Sequence, residues 1–160
     1  MFEHDYKIRG KHAEQIKFLA ERFDCFQGYI DVYINAVIFG VFYNRQADED
    51  KSSAETAKLH FSYLKDERKE FIINHLYRMT MLIDCSSHLT SKERINRAFH
   101  YDNFELLNSY MRGGLEYLYR QFKFCLSRED CLNKTLEVMA KFKNDAENFR
   151  ATALKDLNGN

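Results

Sequence analysis

Residues 28–43, GYIDVYINAVIFGVFY, are apolar on nearly every side of the helix that they would form. Only Asp31 and Asn35 interrupt the ring of aliphatic and aromatic side chains. A helix that is apolar all round lies either at the centre of a helical domain or in a membrane. This stretch is shorter than the roughly 20 residues that cross a bilayer, and it contains a carboxylate. It therefore predicts a central, fully buried helix.

The absence of proline favours long helices over strands and loops. The 160 residues include 6 glycines and no proline, whereas β-rich and loop-rich domains use both residues at their turns. The length suits one domain with a single core. We therefore predict an all-α fold, a single-domain bundle of about six helices over residues 1–160.

Apolar residues at helical spacing indicate where these helices lie. Helical patterns cover residues 11–26, 28–43, 66–85, 91–100, 102–125 and a last segment that ends near 154, and a helical pattern also resumes over 54–64. We expect the first turns of 66–85 to be solvated and the last three to be buried. Residues 44–53 should form an exposed, charged and mobile loop, and residues 155–160 should fray.

Three local signals refine these boundaries. Thr90 and Glu93 fit a capping box, and Ser127 offers a second N-cap. Gly113 and Gly114 interrupt the pattern of 102–125, at a cost of roughly 2 kcal/mol against alanine in a helix. The glycine pair therefore indicates a kink, a break, or a close contact between two backbones.

Charge and cysteine content limit the classes of partner. With 24 basic and 24 acidic residues the net charge is zero, so a basic surplus that would select nucleic acid or an anionic membrane is absent. No pair of cysteines forms CxxC, and all four lie among apolar residues, where we expect buried thiols: Cys25, Cys85, Cys125 and Cys131. Because the first ten residues are charged, we expect no signal peptide and a cytoplasmic location.

Asp31 and Asn35 are four residues apart and share one face of the predicted central helix. A carboxylate inside a core must be paired or neutralised. One interpretation is a polar site in the bundle interior, for example a metal ligand. The other is a structural hydrogen-bond pair, or a helix face that reaches the surface. Three arginines flanked by apolar residues are the candidate partners: Arg78, Arg94 and Arg97.

Asp84 and His88 are also four apart, but a metal site needs three or four ligands on matching faces. We expect a histidine at a helix end there. We predict no metal and no cofactor, since the sequence also has no P-loop, dinucleotide fingerprint or HExxH motif.

Arg94 and His100 enclose the segment RINRAFH, which resembles the Arg-x(4–6)-His signature of HEPN-family proteins. That family consists of small α-helical domains, common among prokaryotic toxin and anti-phage ribonucleases. The resemblance implies a dimer in which the Arg and His of two protomers meet and cleave RNA without metal. A histidine can exchange the proton of a ribose 2′-hydroxyl, and an arginine can stabilise the pentacoordinate phosphate.

Two functional hypotheses follow. The first is a non-enzymatic interaction module that binds another protein, or a second copy of itself, through an aromatic-rich surface, because Phe and Tyr exceed what the core needs. The second is a HEPN-like ribonuclease with Arg94 and His100 as its catalytic residues. Nucleic acid is a partner only under the second hypothesis, and we expect no membrane partner under either.

Overall fold

A computed structural model describes residues 5–60, 67–84, 88–100 and 104–158. These residues form six helices and one pair of short strands, which confirms the all-α class and the expected number of helices. In chain order the elements are β1 (Tyr6–Arg9), α1 (Gly10–Glu21), α2 (Tyr29–Phe42), β2 (Thr56–Leu59), α3 (Glu67–Ile83), α4 (Ser91–His100), α5 (Phe104–Phe122) and α6 (Arg128–Asn158).

By its contacts the chain divides into two compact units, Met1–Arg120 and Gln121–Asn160, and each is described by itself. The first unit contains both strands, α1 to α4 and most of α5. The second contains α6. That residues 1–160 form one domain stays a prediction.

Both predicted helix caps are present. Glu93 accepts a hydrogen bond from the Thr90 backbone N–H at 2.7 Å, and the Thr90 hydroxyl accepts one from the Glu93 N–H at 3.3 Å. In the second unit the Ser127 hydroxyl accepts from the Asp130 N–H at 3.1 Å. These reciprocal bonds satisfy amides that the first turn of a helix leaves open, so α4 and α6 begin where the sequence indicates.

Two helix ends differ clearly from expectation. α1 ends at Glu21 rather than near 26, and the chain bends over 22–28, where Asp24 has a φ of 52° and Gly28 a φ of 118°. A right-handed helix does not continue through such positive φ values. α6 continues to Asn158, so residues 155–158, which we expected to fray, are helical.

Residues 56–59 form a strand where the sequence predicted a helix. β2 pairs antiparallel with β1, with Ile8 opposite Ala57 and Tyr6 opposite Leu59. Ala57 and Leu59 are buried on either side of the exposed Lys58, which is the period-two alternation of a half-buried strand. Residues 61–64 of the predicted helix lie outside the described residues.

Burial of α2 is less complete than expected. Half of its 14 residues are buried, among them Val32, Tyr33 and Val37, and the remainder are partly accessible. None of them is fully exposed. The prediction of a fully buried helix therefore holds for one half of α2 only.

α2 contacts α5 with almost no side-chain volume between the two backbones. A Cβ on Gly40 would lie 1.9 Å from the carbonyl oxygen of Tyr110. A Cβ on Gly114 would lie 1.7 Å from the carbonyl oxygen of Ala36. α5 runs without a break through Gly113 and Gly114. Of the three alternatives for the glycine pair, the close contact between backbones is the one that the structure shows.

The 44–53 segment is mostly exposed, as expected, but it is hydrogen-bonded to the helices. The Arg112 side chain, 2% exposed, donates from Nε to the carbonyl of Ala47 at 2.8 Å. The Ala47 N–H donates to the carbonyl of Ser109 at 3.0 Å, and Asp50 accepts from the Lys11 N–H at 2.6 Å. These bonds hold the segment against α1 and α5. The sequence-based prediction of a mobile loop did not anticipate these contacts.

We expect Gly114→Ala to lower the free energy of unfolding by about 1–3 kcal/mol, because the new methyl group overlaps the Ala36 carbonyl. At an open helical position the same change would instead stabilise by about 1 kcal/mol. Urea unfolding of both proteins measures the difference. Arg120→Ala, an exposed change on α5, is the control and should stay within about 0.5 kcal/mol. A Gly114→Ala protein more stable than the wild type would contradict the contact.

Candidate interaction surface

Asp31 and Asn35 are partly accessible rather than buried, and their partner is not an arginine. Asp31 Oδ1 lies 2.7 Å from Lys69 Nζ, in the first turn of α3, and the two side chains are 20% and 28% exposed. Asn35 Nδ2 donates to the backbone carbonyl of Asp31 at 2.8 Å. The charge pair joins α2 to α3. Because it retains contact with solvent, it contributes less than a fully enclosed pair would.

Two of the three candidate arginines have other neighbours. The Arg78 guanidinium lies over the Phe99 ring, 5.0 Å from its centroid. Arg94 Nη1 donates to the carbonyl of Asp84 at 3.4 Å. Arg78 and Arg94 therefore hold α4 against α3.

Arg94 and His100 lie on different faces of α4. Successive residues of a helix are about 100° apart around its axis, so six residues correspond to about 600°. The Arg94 and His100 side chains therefore point about 120° apart. His100 is exposed and donates from Nδ1 to the carbonyl of Asn96 in its own helix at 2.7 Å. One protomer does not bring the two side chains together on one face, and the ribonuclease site stays a prediction.

Metal-ligating side chains do not converge in the part of the chain that the structure describes. There, no group of three or more His, Cys, Asp or Glu side chains could hold an ion. Asp84 is buried at the end of α3, and His88 is exposed beyond it.

Two of the four cysteines are not thiols: Cys25 and Cys131 are disulfide-bonded. Cys125 is buried and is not part of a disulfide, and Cys85 lies outside the described residues. Apolar surroundings do not by themselves distinguish a bonded cysteine from a free one.

His12 is a buried polar residue that the sequence did not single out. Its ring is inaccessible to solvent, and Nε2 donates to Glu116 Oε1 at 3.1 Å. Lys11 Nζ lies 2.9 Å from the same oxygen. Nδ1 has no hydrogen-bond partner among the described residues. Burial lowers the pKa of His12 despite the neighbouring carboxylate, so the imidazole is neutral in the fold at pH 7.

α3 is apolar on two opposite faces. One face is buried in the first unit and includes Ile73, Tyr77 and Met81. The opposite face, here called the outer face, is exposed and consists of Phe71, Ile72, His75, Met79, Leu82 and Ile83. The exposed fractions of Phe71 and Met79 are 62% and 53%. The prediction that the last three turns of this helix are buried is therefore wrong for half of its circumference.

α4 presents exposed apolar side chains next to α3. Ile95 and Phe99 are exposed, Phe99 by 60%, and Arg78 of α3 lies against the Phe99 ring. Single exposed apolar residues are ordinary on protein surfaces, whereas a contiguous group marks an interaction site. The outer face together with Ile95 and Phe99 is the strongest candidate site of the first unit.

Comparisons with known proteins do not identify the chain: no protein-family model, no curated protein and no solved structure matches it. None of the described helices has both the length and the apolar character that crossing a membrane requires. The candidate site therefore rests on its own geometry.

We expect His12 to make stability depend on pH. Above about pH 6.5 the imidazole is neutral in both the folded and the unfolded state. Below that pH the unfolded chain takes up the proton first, because the folded pKa is lower, and stability falls by up to about 1.4 kcal/mol per pH unit. Partial burial raises the pKa of Glu116, but hydrogen bonds from Lys11 and His12 lower it and hold it below its usual value. The Glu116 carboxylate therefore stays ionised over this pH range.

Urea unfolding of the wild type and of His12→Gln between pH 7.5 and 5 measures this effect. The wild type should lose more stability over that range than the variant, whose residue 12 does not titrate. Parallel pH profiles for the two proteins would show that residue 12 contributes nothing to the pH dependence.

Proposed function

We propose that this chain is a non-enzymatic interaction module that binds a protein through the outer face of α3 and the adjoining Ile95 and Phe99. The observation that carries the proposal is the exposure of Phe71 and Met79 on the outer face, and of Phe99, whose ring lies against Arg78 of α3. Burying such side chains against a partner contributes about 25 cal/mol per Å² of apolar surface. Large aromatic and methionine side chains are also enriched at protein interfaces.

The fold supports this proposal because α3 does not need its outer face for packing. Its inner face already supplies fully buried residues, with Ile73 and Tyr77 completely enclosed. The pair Asp31–Lys69 holds the first turn of α3, and Arg94 links α4 to the end of α3. The outer face of α3 and the adjoining Ile95 and Phe99 of α4 therefore lie on two helices that contact each other and the rest of the unit.

The ribonuclease alternative receives less support. It requires Arg94 and His100 in one cleft, and within one chain the two side chains diverge around α4. A cytoplasmic location also stays a prediction, since disulfide-bonded cysteines such as Cys25 and Cys131 are typical of oxidising compartments.

Site-specific photo-crosslinking in cells that express the chain tests the proposal. A photoreactive phenylalanine analogue in place of Met79 should form a covalent adduct with a protein. The same analogue in place of Glu14, an exposed polar residue of α1, is the matched control and should form none. Adding Ile72→Glu should abolish the adduct at position 79, because a charge on the outer face opposes apolar contact. Equal labelling from both positions, or none from position 79, would contradict the proposal.

A further inference from the structure

The outer face of α3 has the spacing of a coiled-coil seam. Arg68, Ile72, His75, Met79 and Leu82 follow one another at intervals of four, three, four and three residues. This alternation is the heptad pattern of positions a and d, with Phe71 and Ile83 on the two flanks. The buried residues Ile73, Tyr77, Thr80 and Met81 occupy the remaining side of the helix. α3 thus packs in the first unit with one side and presents a helix-pairing seam on the other.

The seam is symmetric about Tyr77. His75 and Met79 lie two positions on either side of it, and Ile72 and Leu82 lie five. Phe71 and Ile83 lie six positions on either side. An antiparallel copy of α3 related by a two-fold axis at the level of Tyr77 would place Ile72 against Leu82 and His75 against Met79. The surface is therefore complementary to itself in the way that a two-fold dimer requires.

Charge favours the antiparallel orientation. Arg68 is exposed in the first turn of α3 and is the one charged residue of the a and d positions just named. In an antiparallel pair it lies beside the C-terminal end of the partner helix, where the backbone carbonyl oxygens carry partial negative charge. A parallel pair would instead place two Arg68 side chains at the same level, where they repel.

We propose that the occupant of the outer face is a second copy of this chain, with the two α3 helices antiparallel about a two-fold axis at Tyr77. The proposal rests on the function proposed above and names its partner. Phe99 of each chain, on the α4 side of the face, adds to the same contact. Because of the two-fold axis, each contact such as Ile72 with Leu82 of the partner occurs twice in the dimer. One substitution therefore removes two contacts.

Disulfide trapping tests the arrangement in the purified full chain. In Ile72→Cys/Leu82→Cys, each new thiol faces the other new thiol of the partner, and mild oxidation should give a covalent dimer. Within one helix the two positions are about 15 Å apart, too far for a disulfide. The single variants Ile72→Cys and Leu82→Cys are the controls, and each should give at least about tenfold less new dimer, since like positions are also about 15 Å apart.

Sedimentation equilibrium provides the second readout. The wild type should show a reversible monomer–dimer equilibrium, and Met79→Glu should raise the dissociation constant at least about tenfold. Efficient crosslinking of the single variants would indicate a parallel pair and overturn the proposal.

The outcomes separate this proposal from the proposed function. A chain that stays monomeric at every concentration, and whose cysteine variants do not crosslink, overturns the antiparallel pair. If position 79 still forms a photo-adduct with a different protein, the interaction module stands and only the identity of its partner is wrong. Loss of both results would overturn the two proposals together.

Discussion

The close contact between the backbones of α2 and α5 is the constraint on which most of the first unit depends. Gly40 and Gly114 leave no room for a Cβ, so the two helices meet through carbonyl groups and glycine Cα atoms. Such a contact allows little sliding, because close-packed interiors tolerate overlaps of even one methyl group poorly. It fixes the register of α5, and with it the positions of two polar residues of that helix. Asn108 accepts from the buried Tyr33 hydroxyl at 3.0 Å, and Arg112 reaches the carbonyl of Ala47.

The same register explains why a charged loop lies against the helices. Gly113 lets the backbone at Arg45 approach α5, where a Cβ would come within 2.3 Å of the Arg45 carbonyl oxygen. Arg112, one residue earlier, donates from Nη1 to the Tyr6 hydroxyl at 3.3 Å and is paired with Glu105. A guanidinium enclosed in this way must have its donors satisfied, and the loop carbonyl supplies one acceptor. α3 packs against the rest of this unit with one of its faces, and its outer face stays exposed.

Local features of the fold were readable in the sequence, and features that depend on distant residues were not. The caps at Thr90 and Ser127 depend on residues three positions away, and both are present. The glycine pair indicated three alternatives, a kink, a break or a close backbone contact. It did not indicate that Ala36 is the residue contacted. The sequence near Asp31 does not indicate that Lys69, far along the chain, is its ionic partner. Likewise, the sequence near Ala57 does not indicate that this segment pairs with Ile8 as a strand. A prediction of burial on all sides of an apolar helical run does not separate the outer face of α3 from its buried face. The spacing from Ile72 to Leu82, read as a separate heptad line, would have indicated it.

Two adjacent isoleucines of α3 test most directly whether its two faces have different roles. Ile73 is fully buried and Ile72 is 40% exposed, so the same substitution samples opposite faces at neighbouring positions. Urea unfolding at low protein concentration keeps the contribution of association small. Under those conditions Ile73→Ala should cost about 2–5 kcal/mol, and Ile72→Ala less than about 1 kcal/mol. Equal losses for the two variants would mean that the outer face is packed within the chain itself, which contradicts its assignment as a binding surface.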